Sequence, residues 1–233
     1  MTKLAIFVEG HTELELTVSL LDAICGKNGI SVKVLKQHKG SLQFIEMRGT
    51  DPAPAFALVA NCACDGQVKT QIRDRYADLV RAGYSKIIGL RDVYPEARGN
   101  TQKIEQMQMF GMPTHPLPID MHLAIMEVES WFLDELTHFQ RIHPNLTLPR
   151  ITAAGFDLAN KNGSSWDHPA ETLDTIYKLE GRRYRKKIPH IRRTINSIDM
   201  DEFYLTSRGR SQSLSKFLKS IEDAIFPITP KAP

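Results

Sequence analysis

Five carboxylates in this chain each lie at the end of a predicted strand. They are Glu9 and Glu13, Asp92, and Glu127 and Glu129. Because the carboxyl ends of parallel strands meet at one edge of a sheet, we expect these side chains to converge. Carboxylate oxygens gathered in this way suit Mg²⁺ or Mn²⁺, with water and a substrate phosphate as the remaining ligands.

One or two such ions would activate a water molecule and stabilise a departing oxygen in phosphodiester chemistry. Acidic residues also occur at strand ends because these loops are solvated and because carboxylates favour helix N-termini. For a single residue this structural explanation is the better one. Three clusters at equivalent positions favour the metal site.

The N-terminal segment must position the first two carboxylates. Residues 4–8 form a short apolar run that ends abruptly at Glu9 and Gly10, which is typical of a buried strand followed by a turn. Thr12 and Glu15 have the spacing of a capping box at the start of a helix that runs to about Cys25. This interpretation assigns Glu15 to helix capping and leaves Glu9 and Glu13 available for chemistry.

Alternating strand and helix patterns follow along the chain. Further strands are predicted at 30–35, 85–90 and 118–126, and helices at 68–82, 99–110, 169–179 and 211–225. Residues 36–66 give weak signals and are interpreted as a long crossover with at most one short helix. We therefore predict an α/β fold with a mostly parallel sheet, helices on both faces, and two regions: an α/β domain at 1–140 and a helical extension at 141–233.

Composition limits the class of protein. The chain has 233 residues, of which 42% are hydrophobic, and it carries a formal net charge of +3. It has no apolar run of roughly the 20 residues that a membrane helix needs, and its N-terminal apolar stretch is too short for a signal peptide. We expect a cytoplasmic protein with no membrane partner and with its three cysteines reduced.

Seven cations lie close together in the segment 182–193, which contains no acidic residue. They are Arg182, Arg183, Arg185, Lys186, Lys187, Arg192 and Arg193. Such a patch can hold a nucleic-acid backbone by displacing its counterions. It can equally be a solvated loop or helix face, and the sequence leaves both interpretations open.

The segment Phe7-Val8-Glu9-Gly10-His11-Thr12-Glu13 resembles the first motif of the Toprim domain, the metal-binding α/β fold of topoisomerases, primases and overcoming-lysogenization-defect nucleases. The resemblance implies that Glu9 is the Toprim glutamate and Asp92 the first aspartate of the Asp-x-Asp motif. Tyr94 stands where the second aspartate is expected. Glu96 or Glu129 is a candidate to replace it.

The C-terminal part resembles a bacterial family of Toprim-related proteins that are often encoded beside ABC-type ATPases in anti-phage defence loci. The resemblance rests on an ordered set of motifs: Glu127–Leu133, His168–Leu173, Tyr184-x-Lys186, and a final helix. It implies an ABC-type ATPase as a partner and a role in defence.

Two functions are carried forward. In the first, the protein is a Mg²⁺- or Mn²⁺-dependent nuclease in which Glu9, Asp92 and one or both of Glu127 and Glu129 bind metal and Glu13 supports catalysis. In the second, it is a non-catalytic module of the same fold that binds a partner ATPase or nucleic acid. DNA versus RNA as the ligand, and a homodimer, are left open.

Overall fold

The computed structural model describes residues 1–26, 28–50 and 52–227. Its strands are β1 (Thr2–Val8), β2 (Ile30–His38), β3 (Ser41–Gly49), β4 (Ala55–Asn61), β5 (Lys86–Asp92) and β6 (Ile119–Ala124). Within the described ranges these strands form one six-stranded sheet in the order β3-β2-β4-β1-β5-β6. Neighbouring strands are parallel except for the antiparallel pair β2 and β3. The predicted α/β class with a mostly parallel sheet is confirmed.

Helices connect and cover the strands. They are α1 (His11–Cys25), α2 (Asp65–Arg81), α3 (Thr101–Met109), α4 (Glu129–Asp134), α5 (His138–Ile142), α6 (Leu148–Ala153), α7 (Pro169–Lys178), α8 (Ile188–Ser197), α9 (Met200–Glu202), α10 (Arg208–Arg210) and α11 (Gln212–Ile225). Short 3₁₀ turns lie at Arg98–Asn100 and Gly163–Ser165, and a π-helical turn at Phe203–Ser207. No helix of the described residues is long and apolar enough to cross a membrane.

Strand β1 lies in the middle of the sheet and is buried on both faces, which explains its unbroken apolar sequence. Successive side chains of a strand point to opposite faces. Leu4 and Ile6 accordingly belong to the hydrophobic cluster that includes α1 and α11, whereas Ala5 and Phe7 belong to the cluster that includes α2. Helices therefore cover both faces, as predicted.

The C-terminal helices pack onto the face of the sheet that carries α1. Helix α8 contacts α1, α7 contacts α4, and α11 contacts β6, β5 and β1. A single hydrophobic cluster extends from Leu4 in β1 to Ala224 in α11. The division into a domain of residues 1–140 and an extension of residues 141–233 stays a prediction, and residues 228–233 of that extension lie outside the described residues.

The expectation of a long crossover at 36–66 was wrong. Strand β2 continues to His38, a turn with positive φ at Lys39 and Gly40 leads into β3, and β4 occupies the centre of the sheet. A lysine in the left-handed region is unusual, so this hairpin turn lacks the usual Asn-Gly or Asp-Gly signal. The apolar run of β4 is also short enough that periodicity cannot separate a buried strand from a helix.

Candidate acidic site at the carboxyl edge of the sheet

The end of β1 brings the first two carboxylates to the carboxyl edge of the sheet. Glu9 follows the strand directly, and its Oε2 accepts a 3.0 Å hydrogen bond from the backbone N of Asp92 at the end of β5. Gly10 precedes α1, and a Cβ atom at this position would lie 3.0 Å from Oε2 of Glu13. The absence of a side chain at Gly10 therefore leaves room for the carboxylate of Glu13, which is buried in the first turn of α1.

The predicted capping box is wrong. Gly10 is the N-cap of α1, and no side chain caps the helix there. Thr12 instead donates to Oε1 of Glu129 at 3.3 Å. Glu15 is occupied by cations, because it accepts hydrogen bonds from Arg48 at 3.3 Å and from Arg192 at 2.8 and 3.0 Å. Glu15 is thus withheld from the acidic site by ion pairing rather than by capping.

The ends of β5 and β6 are held together by the third carboxylate. Asp92 is the last residue of β5, and its Oδ1 accepts a 2.9 Å hydrogen bond from the backbone N of Val128. The backbone N of Tyr94 donates a hydrogen bond to the carbonyl of Met126. Met126 has a φ of 63°, and the chain turns at this residue after β6. These bonds fix the turn that leads into α4 and its acidic residues.

Glu127 and Glu129 lie on either side of Val128 in this turn. Oε2 of Glu127 accepts a 2.8 Å hydrogen bond from the backbone N of Ala170 at the start of α7. Glu129 is fully buried, and its Oε1 accepts from the hydroxyl of Tyr184 at 2.6 Å. Trp131 and Phe132 of α4 are also fully buried and belong to the core beneath these carboxylates.

Lys186 brings a positive charge into the acidic site. Its Nζ lies 3.0 Å from Oε1 of Glu127, 3.3 Å from Oε2 of Glu129 and 3.7 Å from Oδ2 of Asp92. The Oε2 atom of Glu129 has this ion pair but no hydrogen bond. The ammonium group of Lys186 thus lies among three of the predicted metal ligands.

Burial and mutual repulsion shift the protonation of this cluster. Burial raises the pKa of Glu13 from an ordinary 4.5 to about 7, and the charge of Glu129 adds to the effect. Burial, followed by the charge of Glu13, also raises the pKa of Asp92 well above its usual range. Burial alone would lower the pKa of Lys186, but the carboxylates around it raise that pKa above its ordinary value.

Thr12 and Tyr184 contact the acidic site, although the sequence interpretation did not predict a role there for either residue. Both donate to the same oxygen of Glu129. The motif Tyr184-x-Lys186 was the available signal, because alternate residues of an extended segment point the same way. Its two side chains do enter the site together.

The basic segment 182–193 does not form a single patch of available cations. Lys186 contacts the carboxylates, Arg183 pairs with Asp174 at 3.0 and 3.2 Å, and Arg192 pairs with Glu15. The fourth cation engaged inside the protein is Arg193, which donates to a backbone carbonyl and lies 5.8 Å from the ring centroid of Tyr177.

Three exposed cations of the segment have no acidic partner among the described residues. They are Arg182, Arg185 and Lys187. Helix α8, which the sequence interpretation did not predict, buries Ile191 and Ile195 and exposes Arg192. The exposed cations lie on the chain next to Lys186, so they are close in sequence to the acidic site.

The two candidates for replacing the missing second aspartate have different positions. Glu129 belongs to the cluster, as described above. Glu96 accepts a hydrogen bond from Asn100 and borders a separate cavity. Tyr94 itself is exposed and lies edge-on to His168, with ring centroids 5.7 Å apart.

No three Asp, Glu, His or Cys side chains in the described ranges are arranged so as to hold a metal ion. The three cysteines are free thiols, as expected. A cavity of about 450 Å³ opens beside the acidic site and is lined by Tyr184, Arg185 and Lys186 together with one side of α7 from Ala170 to Lys178. A larger cavity of about 1340 Å³ runs along β6 between α3 and α11 and contains none of the five carboxylates.

Comparisons with known proteins assign no family. No protein-family model matches the sequence, and no curated protein matches it. The chain is similar to the crystal structure of a proposed cell surface hydrolase from Lactobacillus plantarum WCFS1, with 10% sequence identity and a TM-score of 0.34. The match covers 56% of this chain and 57% of that protein. At this TM-score the similarity supports no inference about fold family or function.

Proposed function

We propose that the protein is a divalent-metal-dependent phosphodiesterase with a Toprim-like fold that acts on nucleic acid. The observation that carries this proposal is the convergence of Glu9, Glu13, Asp92, Glu127 and Glu129 from three strand ends at one edge of the sheet. Open parallel sheets place their chemistry at this edge. Burial raises the pKa values of Glu13 and Asp92 in this cluster, and carboxylates with shifted pKa values are concentrated at functional sites.

The donor set fits a hard divalent ion in its chemistry, because every donor is a carboxylate oxygen, but among the described residues no three of these side chains surround a common point while Lys186 lies between them. Glu9, Asp92, Glu127 and Glu129 would hold the ion. Once bound, it would lower the pKa of a coordinated water and neutralise charge on a phosphate. Since Lys186 now lies among these oxygens, metal binding requires its ammonium to withdraw, and its partly exposed side chain can turn toward solvent.

Other residues of this chain would assist the reaction in two ways: by carrying a proton and by contacting phosphates. A carboxyl group with a pKa near 7, as at Glu13, can accept and release a proton at neutral pH, which is what general acid–base catalysis needs. The exposed cations Arg182, Arg185 and Lys187 can contact phosphates of a nucleic acid next to the site.

A second candidate function is a non-catalytic module that binds nucleic acid or a partner ATPase of the ABC type. Lys186 favours it, because its ammonium already compensates for Asp92, Glu127 and Glu129 without any metal. Tyr94 in place of a second aspartate favours it as well. A role in phage defence stays a prediction under both candidates.

Cleavage assays with Glu9→Gln separate these candidates. The parent and the variant are incubated with single- and double-stranded DNA and RNA in Mn²⁺, in Mg²⁺ and with a chelator. We expect metal-dependent cleavage by the parent and a loss of activity of more than about 100-fold in the variant. Replacing a residue that only hydrogen-bonds to a metal ligand already costs about 10–100-fold in activity, and replacing the ligand itself should cost at least as much. Gln keeps the oxygen that accepts from the backbone N of Asp92, so the fold is preserved.

Glu105→Gln is the matched control, since Glu105 is exposed on α3 away from the acidic site. It should cleave as the parent does. Equal activity of Glu9→Gln and the parent would disprove the assignment of Glu9. Nucleic-acid binding by the parent that needs no metal, together with an absence of cleavage, would establish the second candidate.

A further inference from the structure

A further cavity lies on the side of the sheet that carries α2. It has a volume of about 410 Å³, within the usual range for small-molecule sites. It lies between the start of α2, the end of β5 and α3, and its lining includes Lys69, Arg91, Glu96, Lys103 and Gln108. Arg91 and Asp92 are successive residues, so this cavity and the acidic site flank the same strand end.

Gln108 is the unusual residue of this cavity. It is only 4% exposed, and neither the oxygen nor the nitrogen of its side-chain amide has a hydrogen-bond partner. Buried amide groups almost always have partners, because leaving them unpaired costs free energy. An unpaired amide at this position, one helical turn from the buried Ile104, indicates a ligand that offers a donor and an acceptor side by side.

The charges around the cavity favour an anion. Lys69, Arg91 and Lys103 contribute three positive charges against the single carboxylate of Glu96. Lys69 donates to the carbonyls of Met107 and Phe110 and thereby holds the end of α3. Lys103 is exposed and has no ion-pair partner within the described ranges. Its ammonium is therefore available to a ligand at the mouth of the cavity.

Part of the remaining lining is apolar. Ile104, Met107 and Met121 supply side chains that suit the flat face of an aromatic ring, and thioethers pack well against such rings. The cavity thus combines an apolar wall, a paired donor and acceptor, and an excess of positive charge. A nucleotide has the complementary parts: a planar ring, a base edge with adjacent donor and acceptor, and a phosphate.

We propose that this cavity binds a nucleotide, with the edge of the base hydrogen-bonded to the amide of Gln108 and the phosphate held by Lys103. Amide side chains recognise base edges in this bidentate way. The proposal does not require the acidic site to be catalytic, since it concerns binding alone. Its failure would leave the phosphodiesterase proposal intact, and the converse also holds.

Isothermal titration calorimetry of the full chain tests this proposal. The probes are AMP, GMP, CMP and UMP, with the corresponding nucleosides and inorganic phosphate as separate arms. We expect at least one nucleotide to bind, and Gln108→Leu to weaken that binding by at least about tenfold. Lys103→Ala should weaken the nucleotide by about tenfold while leaving its nucleoside unchanged.

Thermal denaturation of the same protein samples shows whether the variants are folded. Leu removes an unpaired polar group at nearly constant volume, so Gln108→Leu should unfold at a temperature equal to or above that of the parent. Lys103 is exposed, so its replacement leaves the core unchanged. Lys219→Ala is the matched control, because Lys219 is exposed on α11 and does not line this cavity, and it must bind the nucleotide as the parent does.

Three results would overturn the proposal. The first is that no nucleotide binds at millimolar concentration. The second is that inorganic phosphate binds as tightly as the nucleotide, which would show an anion site without base recognition. The third is that a folded Gln108→Leu and a folded Lys103→Ala both bind as the parent does.

Discussion

Replacing Lys186 with Met tests the electrostatics of the acidic site directly. Met keeps an unbranched side chain of similar length but removes the ammonium group that lies 3.0, 3.3 and 3.7 Å from Glu127, Glu129 and Asp92. The variant leaves these carboxylates buried without their cation. We expect it to be less stable than the parent at pH 8.

The size of the loss follows from burial. Removing one partner of a buried ion pair costs about 3–5 kcal/mol. The side chain of Lys186 is 45% exposed, so water screens part of its interaction, and we expect about 2 kcal/mol. Urea denaturation of the parent and the variant measures the difference in the free energy of unfolding.

A matched control and a metal titration complete this test. Lys187→Met removes an exposed neighbouring cation and should change stability by less than about 0.5 kcal/mol. If the carboxylates bind Mg²⁺, a tenfold excess over its Kd restores about 1.4 kcal/mol to Lys186→Met. A variant as stable as the parent without metal would refute the electrostatic reasoning.

Two further predictions concern the fold. Burial lowers the pKa of His122 to about 4 despite the nearby carboxylate of Asp120. The folded state then binds fewer protons than the unfolded state from about pH 6.5 down to 4, so stability is lost as the pH falls through this window. The free energy of unfolding of the parent should fall by about 2 kcal/mol between about pH 7.5 and 5 because of His122, and this part of the fall should be absent in His122→Gln. Urea denaturation at several pH values measures it, and the same pH dependence in the variant and the parent would contradict the prediction. A Cβ at Gly163 would lie 1.7 Å from the carbonyl oxygen of Ser130, so Gly163→Ala should lose at least about 2 kcal/mol, and an unchanged Tm would disprove that steric argument.

Several elements were predictable because their signals are local. The strand β1, the helix α2 and the final helix α11 have apolar residues at the spacing of their own secondary structure, and all three are found. Leu214, Phe217, Leu218 and Ile221 of α11 recur at helical spacing, and all four are fully buried. The carboxylates at strand ends were also predictable, since parallel strands share one edge.

The hairpin of β2 and β3 and the helix α8 were not predictable in the same way. The turn at Lys39 and Gly40 uses a residue that rarely adopts positive φ, so composition gave no hairpin signal. Helix α8 directly follows the run of cations at 182–187 and carries two arginines of its own, so charge hid the helical spacing of Ile191 and Ile195, which are buried one turn apart. Their burial depends on packing against α1, which is distant along the chain.

Periodicity and the ends of the strands are local features of the chain, and they predict both the class of fold and the carboxylates at the carboxyl edge of the sheet. The pairing of charges, in contrast, depends on how distant segments pack. Glu15 pairs with Arg192 rather than capping α1, and Lys186 contacts Glu127 and Glu129 rather than lying in an open basic patch. These partners are far apart along the chain, and no local pattern encodes a contact that forms only when the C-terminal segment packs against the sheet.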